Sequence, residues 1–283
     1  KGGVSTIYDK DGVTRLSPVT IPTKDSSTGG TPTGLIYNST NDFVIPSNSA
    51  RSNFIFASED GTVSSWNSGT SAIKVIDRSS NDAVYKGIAL GSVGTSNYIY
   101  LANFKGKRID VFDKNFILIN NMPFTDPEIP GEFSPFNIQN IGGKLYVTYA
   151  KLKAPDNKDD QAGAGNGYVD IFNTDGSFIQ RFATQGTLNS PWGIVKAPAG
   201  FGKFANNILV GNFGDGSISA FDESGNYKGQ LMDKDNHTIR IDGLWGLSFI
   251  ENSAFGNVNN LYFAAGPAAE NHGIFGYLKK SGT

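Results

Sequence analysis

Along this chain the apolar residues come in short runs separated by glycine, asparagine and aspartate, and one order of runs keeps returning. Its marker is a glycine, a brief alternating stretch, then an aromatic followed by Asp or Asn. Copies are read at 3–9, 61–67, 108–113, 167–173 and 216–222, built on Tyr8, Trp66, Phe112, Phe172 and Phe221, with a degenerate sixth at 273–278. They recur at intervals of 46 to 60 residues, as expected of a unit of about 40–50 residues that carries loop insertions.

Each marker has the same neighbours. Just before it lies an apolar run, at 54–57, 98–101, 145–148, 208–211 and 261–264, whose unbroken hydrophobicity predicts a strand buried on both faces. Further upstream is a strand built around Gly34, Gly87, Gly193 or Gly246, with Phe136-Asn137-Ile138 as a variant without glycine; a missing side chain there lets backbones crowd around a narrow axis. After the marker, turns such as Asp175-Gly176 and Ser224-Gly225 lead into more polar strands at 178–181 and 227–230. Four antiparallel strands per unit, repeated six times, predict an all-β, six-bladed propeller, in which every twisted sheet buries both faces against its neighbours. A five-bladed ring with ragged ends is the alternative.

The first unit starts at its third strand, and the last stops after its third with only residues 279–283 remaining. The first blade is therefore expected to be incomplete. Its missing strands are expected from an upstream segment of roughly 40 residues, about one repeat, or from a neighbouring chain.

Composition narrows the class. With 35 Gly, 20 Phe and 11 Tyr against 2 Met and 2 His, strands and tight turns outweigh helices, and no compositional break divides residues 1–283, which are read as one domain. The net charge is −2 with basic residues scattered, which disfavours a nucleic-acid partner. No cysteine is present, which excludes disulfides, thiolate metal sites and a cysteine nucleophile. No apolar run approaches the roughly 20 residues of a membrane-spanning helix.

The stretches 54–63, 135–150, 163–167, Ser190-Pro191-Trp192-Gly193, 211–216, 242–247 and 265–273 resemble an uncharacterised family of bacterial exported proteins with NHL-like propeller repeats. The resemblance spans essentially the whole chain. It implies an NHL-like propeller and an extracellular or periplasmic location in the bacterial envelope, and it carries no activity.

Candidate chemistry gathers where loops meet at one mouth of the central channel. The oxygens of Glu59, Asp60, Asn103, Asn212 and Asp215 form a candidate donor set for calcium, a hard cation that takes carboxylates and carbonyls; the same residues beside glycine also make turns through their own backbone hydrogen bonds. Glu270 and His272 share a mouth loop and are the candidates for general base or metal ligand, with a histidine bonded within a turn as the alternative. Lys86, Phe136, Trp192 and Trp245 precede or replace the inner-strand glycines and are expected near the axis, either to stack on a sugar or to wedge between blades. The insertion at 151–166 lacks the glycine and glutamate positions of an EF-hand loop. The expectation is a non-enzymatic propeller that binds a small molecule, glycan or protein at its mouth. A cation-dependent, lactonase-like hydrolase or lyase and a filament subunit are the alternatives.

Overall fold

A computed structural model of the chain describes residues 2–280; residue 1 and residues 281–283, the end of the tail beyond the last marker, lie outside it. β1 (Val4–Ser5) pairs with β2 (Val19–Thr20) in a small sheet. Five larger sheets follow in chain order. The first holds β3 (Pro32–Tyr37), β4 (Phe54–Ser58), β5 (Thr62–Trp66) and β6 (Ile73–Asp77), and the second β7 (Tyr85–Val93), β8 (Ser96–Asn103), β9 (Arg108–Asp113) and β10 (Leu118–Ile119). The third holds β11 (Phe133–Ile141), β12 (Lys144–Lys151), β13 (Gly167–Asn173) and β14 (Phe178–Thr184), and the fourth β15 (Pro191–Lys196), β16 (Ile208–Asn212), β17 (Ile218–Phe221) and β18 (Tyr227–Gln230). The fifth has three strands, β19 (Leu244–Ser248), β20 (Leu261–Ala265) and β21 (Ile274–Leu278). Each sheet is an antiparallel meander, and the first strands β3, β7, β11, β15 and β19 touch one another in succession. The chain is an all-β propeller of five blades with a small N-terminal sheet.

The marker aromatics occupy equivalent places. Trp66, Phe112, Phe172 and Phe221 are all buried, and they sit opposite Phe54, Ile99, Leu145 and Ile208, each near the start of its blade's second strand. The second strands explain their unbroken hydrophobicity. On β8, Ile99 and Leu101 join the core shared with the preceding blade, whereas Tyr100 and Ala102 join the core shared with the following one. Alternate side chains point to opposite faces of a strand, and here both faces are covered.

At the inner strands the backbones approach so closely that a side chain has no room. A Cβ on Gly87 would lie 2.1 Å from Oδ1 and 2.7 Å from Cα of Asn137 in the next blade, and one on Gly193 would lie 2.6 Å from the Trp245 carbonyl oxygen. Asn137 takes the glycine place in the third blade, and its amide turns the approach into a bond by donating to the Trp192 carbonyl at 2.8 Å.

The N-terminal sheet leans on the first blade. Thr20 bridges to Ser71, and Val19 and Ile21 pack with Phe56, Trp66 and Ala72. Its strands are the third and fourth of a unit, in keeping with a first repeat that starts at its third strand.

In the third blade Arg181 donates to both Asp170 and Asp126, which are almost wholly buried. Burial pushes the Asp170 carboxyl up to about 7, and the nearby Asp126 adds to that against the pull of Arg181. An unfolded aspartate titrates near ~3.9, so the native state keeps a proton that the unfolded chain has already lost. The resulting stability is fully present below that value and drains away as pH rises through about 7. The melting temperature is therefore expected to fall between about pH 4 and pH 7, and Asp170→Asn is expected to remove that part of the slope; an unchanged slope in the variant assigns the titration elsewhere.

Candidate functional site

Lys86 is the anchor of the mouth. It precedes Gly87 on β7, and its side chain is only 3% exposed. A buried ammonium must be paired, and this one is bonded to Glu59, in the turn after β4, and to Asp159 at 3.3 Å, in the long insertion after β12. Asp159 thereby ties the insertion down over the mouth. Leu152 is buried beneath it, and Gln161 N–H donates to the Lys151 carbonyl to close its neck. Beside it, burial holds the Asp160 carboxyl above its ordinary value.

The four expected ligand-binding residues do come together. The Trp192 indole N–H donates to the Lys86 carbonyl at 3.2 Å, and Trp192 and Trp245 meet edge to face with centroids 5.4 Å apart. Phe136 lies 5.9 Å from Trp245 and is itself buried. Two aromatics that the pattern did not single out complete the cluster: Phe104 at 5.2 Å from Phe136, and Phe213 at 4.3 Å from Trp245. Both follow an asparagine that ends a second strand, and that shared place was the signal. The cluster packs together at the mouth as an aromatic plug, leaving Trp192 and Trp245 half-buried at its edge.

The candidate calcium donors are each engaged in hydrogen bonds or ion pairs within the protein. Asn103 Oδ1 accepts from the N–H of Val84 and Gly106 while its amide donates to Asp110, and Asn212 likewise accepts from Asn189 N–H and donates to Thr187 and Ser217. Both asparagines brace the loop that enters their own blade's inner strand. Asp60 accepts from Thr62 and from Lys24 N–H, and Asp215 accepts from Ser217 and pairs with Arg240 at 2.9 Å. Glu59 is held by Lys86. Among the described residues no three His, Asp or Glu side chains are grouped so as to hold a metal ion.

Glu270 and His272 are set apart from Lys86, in a cleft of about 410 Å³ that Thr33, Trp245 and Asn271 also line. The turn carrying them runs left-handed at three successive residues without glycine, with φ of 54° at Ala268, 55° at Ala269 and 63° at Glu270. Such backbone costs roughly 1–2 kcal/mol per residue and persists only where surroundings impose it. Here Asp242 accepts from Ala268 N–H at 3.1 Å, Gly266 accepts from Glu270 N–H at 3.1 Å, and the Trp245 indole N–H donates to the Glu270 carboxylate at 2.7 Å. The strain delivers a carboxylate to the edge of the aromatic plug. His272 is exposed at the rim.

Comparison with known proteins places these features in a family. The chain is 34% identical to the uncharacterised protein R648 of Acanthamoeba polyphaga mimivirus over 97% of its own length and 69% of the relative's. It is 38% and 39% identical to R640 and L690 of the same virus, over 77% and 70% of this chain, and spans only 42% and 52% of their lengths. These relatives are viral, which corrects the bacterial origin that the sequence resemblance implied. No family model matches the chain. Among solved structures, a streptogramin B lyase superposes with a TM-score of 0.52 at 14% identity, covering 93% of this chain and 84% of that one. A Bacteroides thetaiotaomicron protein of unknown function superposes with 0.53 at 11% identity, covering 93% and 64%. At such identities the likeness is one of fold.

Removing Lys86 takes from Glu59 and Asp159 the buried ammonium that both are paired with. Lys86→Ala is expected to lower stability by about 3 kcal/mol in urea denaturation, and the double change Lys86→Met with Glu59→Gln to recover most of it. Equal losses in the single and double variants would show that the pair contributes no coupling.

Proposed function

This chain belongs to the family of the uncharacterised mimivirus proteins R648, R640 and L690, and we propose that it is a non-enzymatic binding propeller, six-bladed and NHL-like in plan, which takes a small polar ligand such as a glycan at its mouth. The observation that carries this reading is the cleft in which Trp245 and Glu270 are bonded to each other beside Thr33, Asn271 and His272. An aromatic wall with a fixed carboxylate is what a sugar needs, since one supplies apolar contact to the ring and the other accepts from its hydroxyls. Three residues of left-handed backbone hold that carboxylate in place, and strain of this kind concentrates at ligand clamps.

Binding is favoured over turnover by how the other polar groups are used. Glu59 is committed to Lys86, and Asn212 braces its own loop, so neither joins His272 in a common donor set. Calcium has no assigned place in this reading. The extracellular setting implied by the resemblance belongs to the same proposal.

Titration calorimetry against a panel of oligosaccharides, run beside a lactone turnover assay, tests it. Saturable binding is expected, with affinity reduced at least ~tenfold in Trp245→Ala and in Glu270→Gln, which removes a charge-assisted bond. Calcium and a chelator are expected to give the same melting temperature. Lactone turnover that depends on a divalent cation would replace binding by catalysis.

A further inference from the structure

Between the fifth blade and the first lies a slot of about 520 Å³ that opens toward the axis at Gln139 and Trp192 and is bordered by Val4 of β1, Leu35 of β3, Gly246 of β19 and Phe275 of β21. Its two walls are built like blade faces that have lost their neighbour. In the second and fifth blades the residue after the inner-strand glycine position points at the preceding inner strand: a Cβ added to Gly34 would meet Ile88 at 3.0 Å, and one added to Gly193 would meet Leu247 at 2.9 Å. That residue is buried in the second, third and fourth blades, with Ile88 at 3%, Ile138 at 0% and Ile194 at 2% exposure. Leu35, in the same register opposite its second strand, is 51% exposed. The opposite wall agrees. A Cβ on Gly34, Gly87 or Gly193 would crowd the next blade at 3.0 Å or less, but one on Gly246 would meet nothing nearer than 3.8 Å.

The third border is a strand edge. Among the described residues β1 is paired on one side only, by β2. In the first, second and fourth blades the second strand runs into the third through a short turn, as at residues 59–61 between β4 and β5. The position beside β1 is thus that of a second strand whose end leads into Gly2, and the axial position beyond it is that of a first strand.

We propose that the slot is an acceptor for a β-hairpin of the full-length polypeptide, formed by the segment leading into Gly2, which supplies the first two strands of the blade that β1 and β2 finish. The matching walls specify its inner strand. It presents a glycine or small residue to Leu35 and follows it with a branched apolar residue that fills the space over Gly246, the pattern of Gly87-Ile88 and Gly193-Ile194. Main-chain pairing to β1 and burial of Leu35, Tyr37 and Phe275 drive the docking. The mimivirus relatives, of which this chain spans 42% to 69%, have ample sequence outside the shared part. The slot shares Thr33 and Trp245 with the polar cleft, but the inference rests on Leu35, Gly246 and the edge of β1, which the cleft does not use, and so does not depend on the ligand reading.

The absence of cysteine from the chain makes the test direct. Leu35→Cys is introduced into the 283-residue chain and into the full-length native polypeptide, and each is reacted with a maleimide, with Phe178→Cys, at a site 41% exposed, as the open reference. The thiol introduced by Leu35→Cys is expected to react like the reference in the 283-residue chain, and at least ~tenfold more slowly in the full-length polypeptide at every protein concentration. Gly246→Cys is expected to show the same change and serves if the first variant folds poorly. Equal rates in the two polypeptides overturn the proposal. So does a native polypeptide with nothing before Lys1, or protection of the 283-residue chain that grows with concentration, which would make a second copy the occupant.

Discussion

The structure depends on how closely successive inner strands approach one another. Four or five β-meanders with two apolar faces have many ways to collapse, and hydrophobic burial alone does not choose a radial one. What selects it is the narrow contact at the axis, where Gly87 lies against Asn137 and Gly193 against Trp245 at distances that no side chain tolerates. From that pivot the sheets fan outward, and the widening space is filled by larger residues, from Ile88 near the axis to Phe112 and Phe116 further out along the same face. Asn137 shows that the requirement is for close contact rather than for glycine itself, because its amide spans to Trp192 as a hydrogen bond.

The same constraint makes the mouth. Residues just before the pivot positions are thrown together above it, which is why Lys86, Phe136, Trp192 and Trp245 converge although they come from four different blades. A lysine delivered to such a place cannot keep its water, and the chain answers with two carboxylates from separate loops. The aromatics pack together at the mouth, and beside them a cleft opens at Glu270. The slot between the fifth blade and the first lies on that side too, and cleft and slot share Thr33 and Trp245 as a common wall.

Much of the fold was legible because each blade is a local meander. The aromatics Trp66, Phe112, Phe172 and Phe221 mark the third strand by a pattern that spans few residues, and the strands before and after them fell where that pattern put them. The convergence of the axial residues was legible for the same reason. The pairing of Lys86 with Asp159, 73 residues away, was not, since it depends on the path of an insertion that no repeat governs. The oxygens of Asp60 and Asp215 were ambiguous by nature, because an aspartate before glycine offers the same atoms to a turn as to a cation. Nor does Pro267-Ala268-Ala269-Glu270 announce a left-handed turn; its local preference is for an ordinary helix, and the bonds from Asp242, Gly266 and Trp245 override it.

Paired thermal melts of Gly87→Ala and Gly246→Ala put the axial contact itself to the test. The two glycines hold the same place in their strands, but a methyl group at the first would strike Asn137 whereas at the second it makes only ordinary contact with Trp192 and Ala264. If inner-strand approach organises the propeller, Gly87→Ala lowers the melting temperature of this chain by several degrees or more while Gly246→Ala leaves it nearly unchanged. Equal, small effects at both positions would contradict the account.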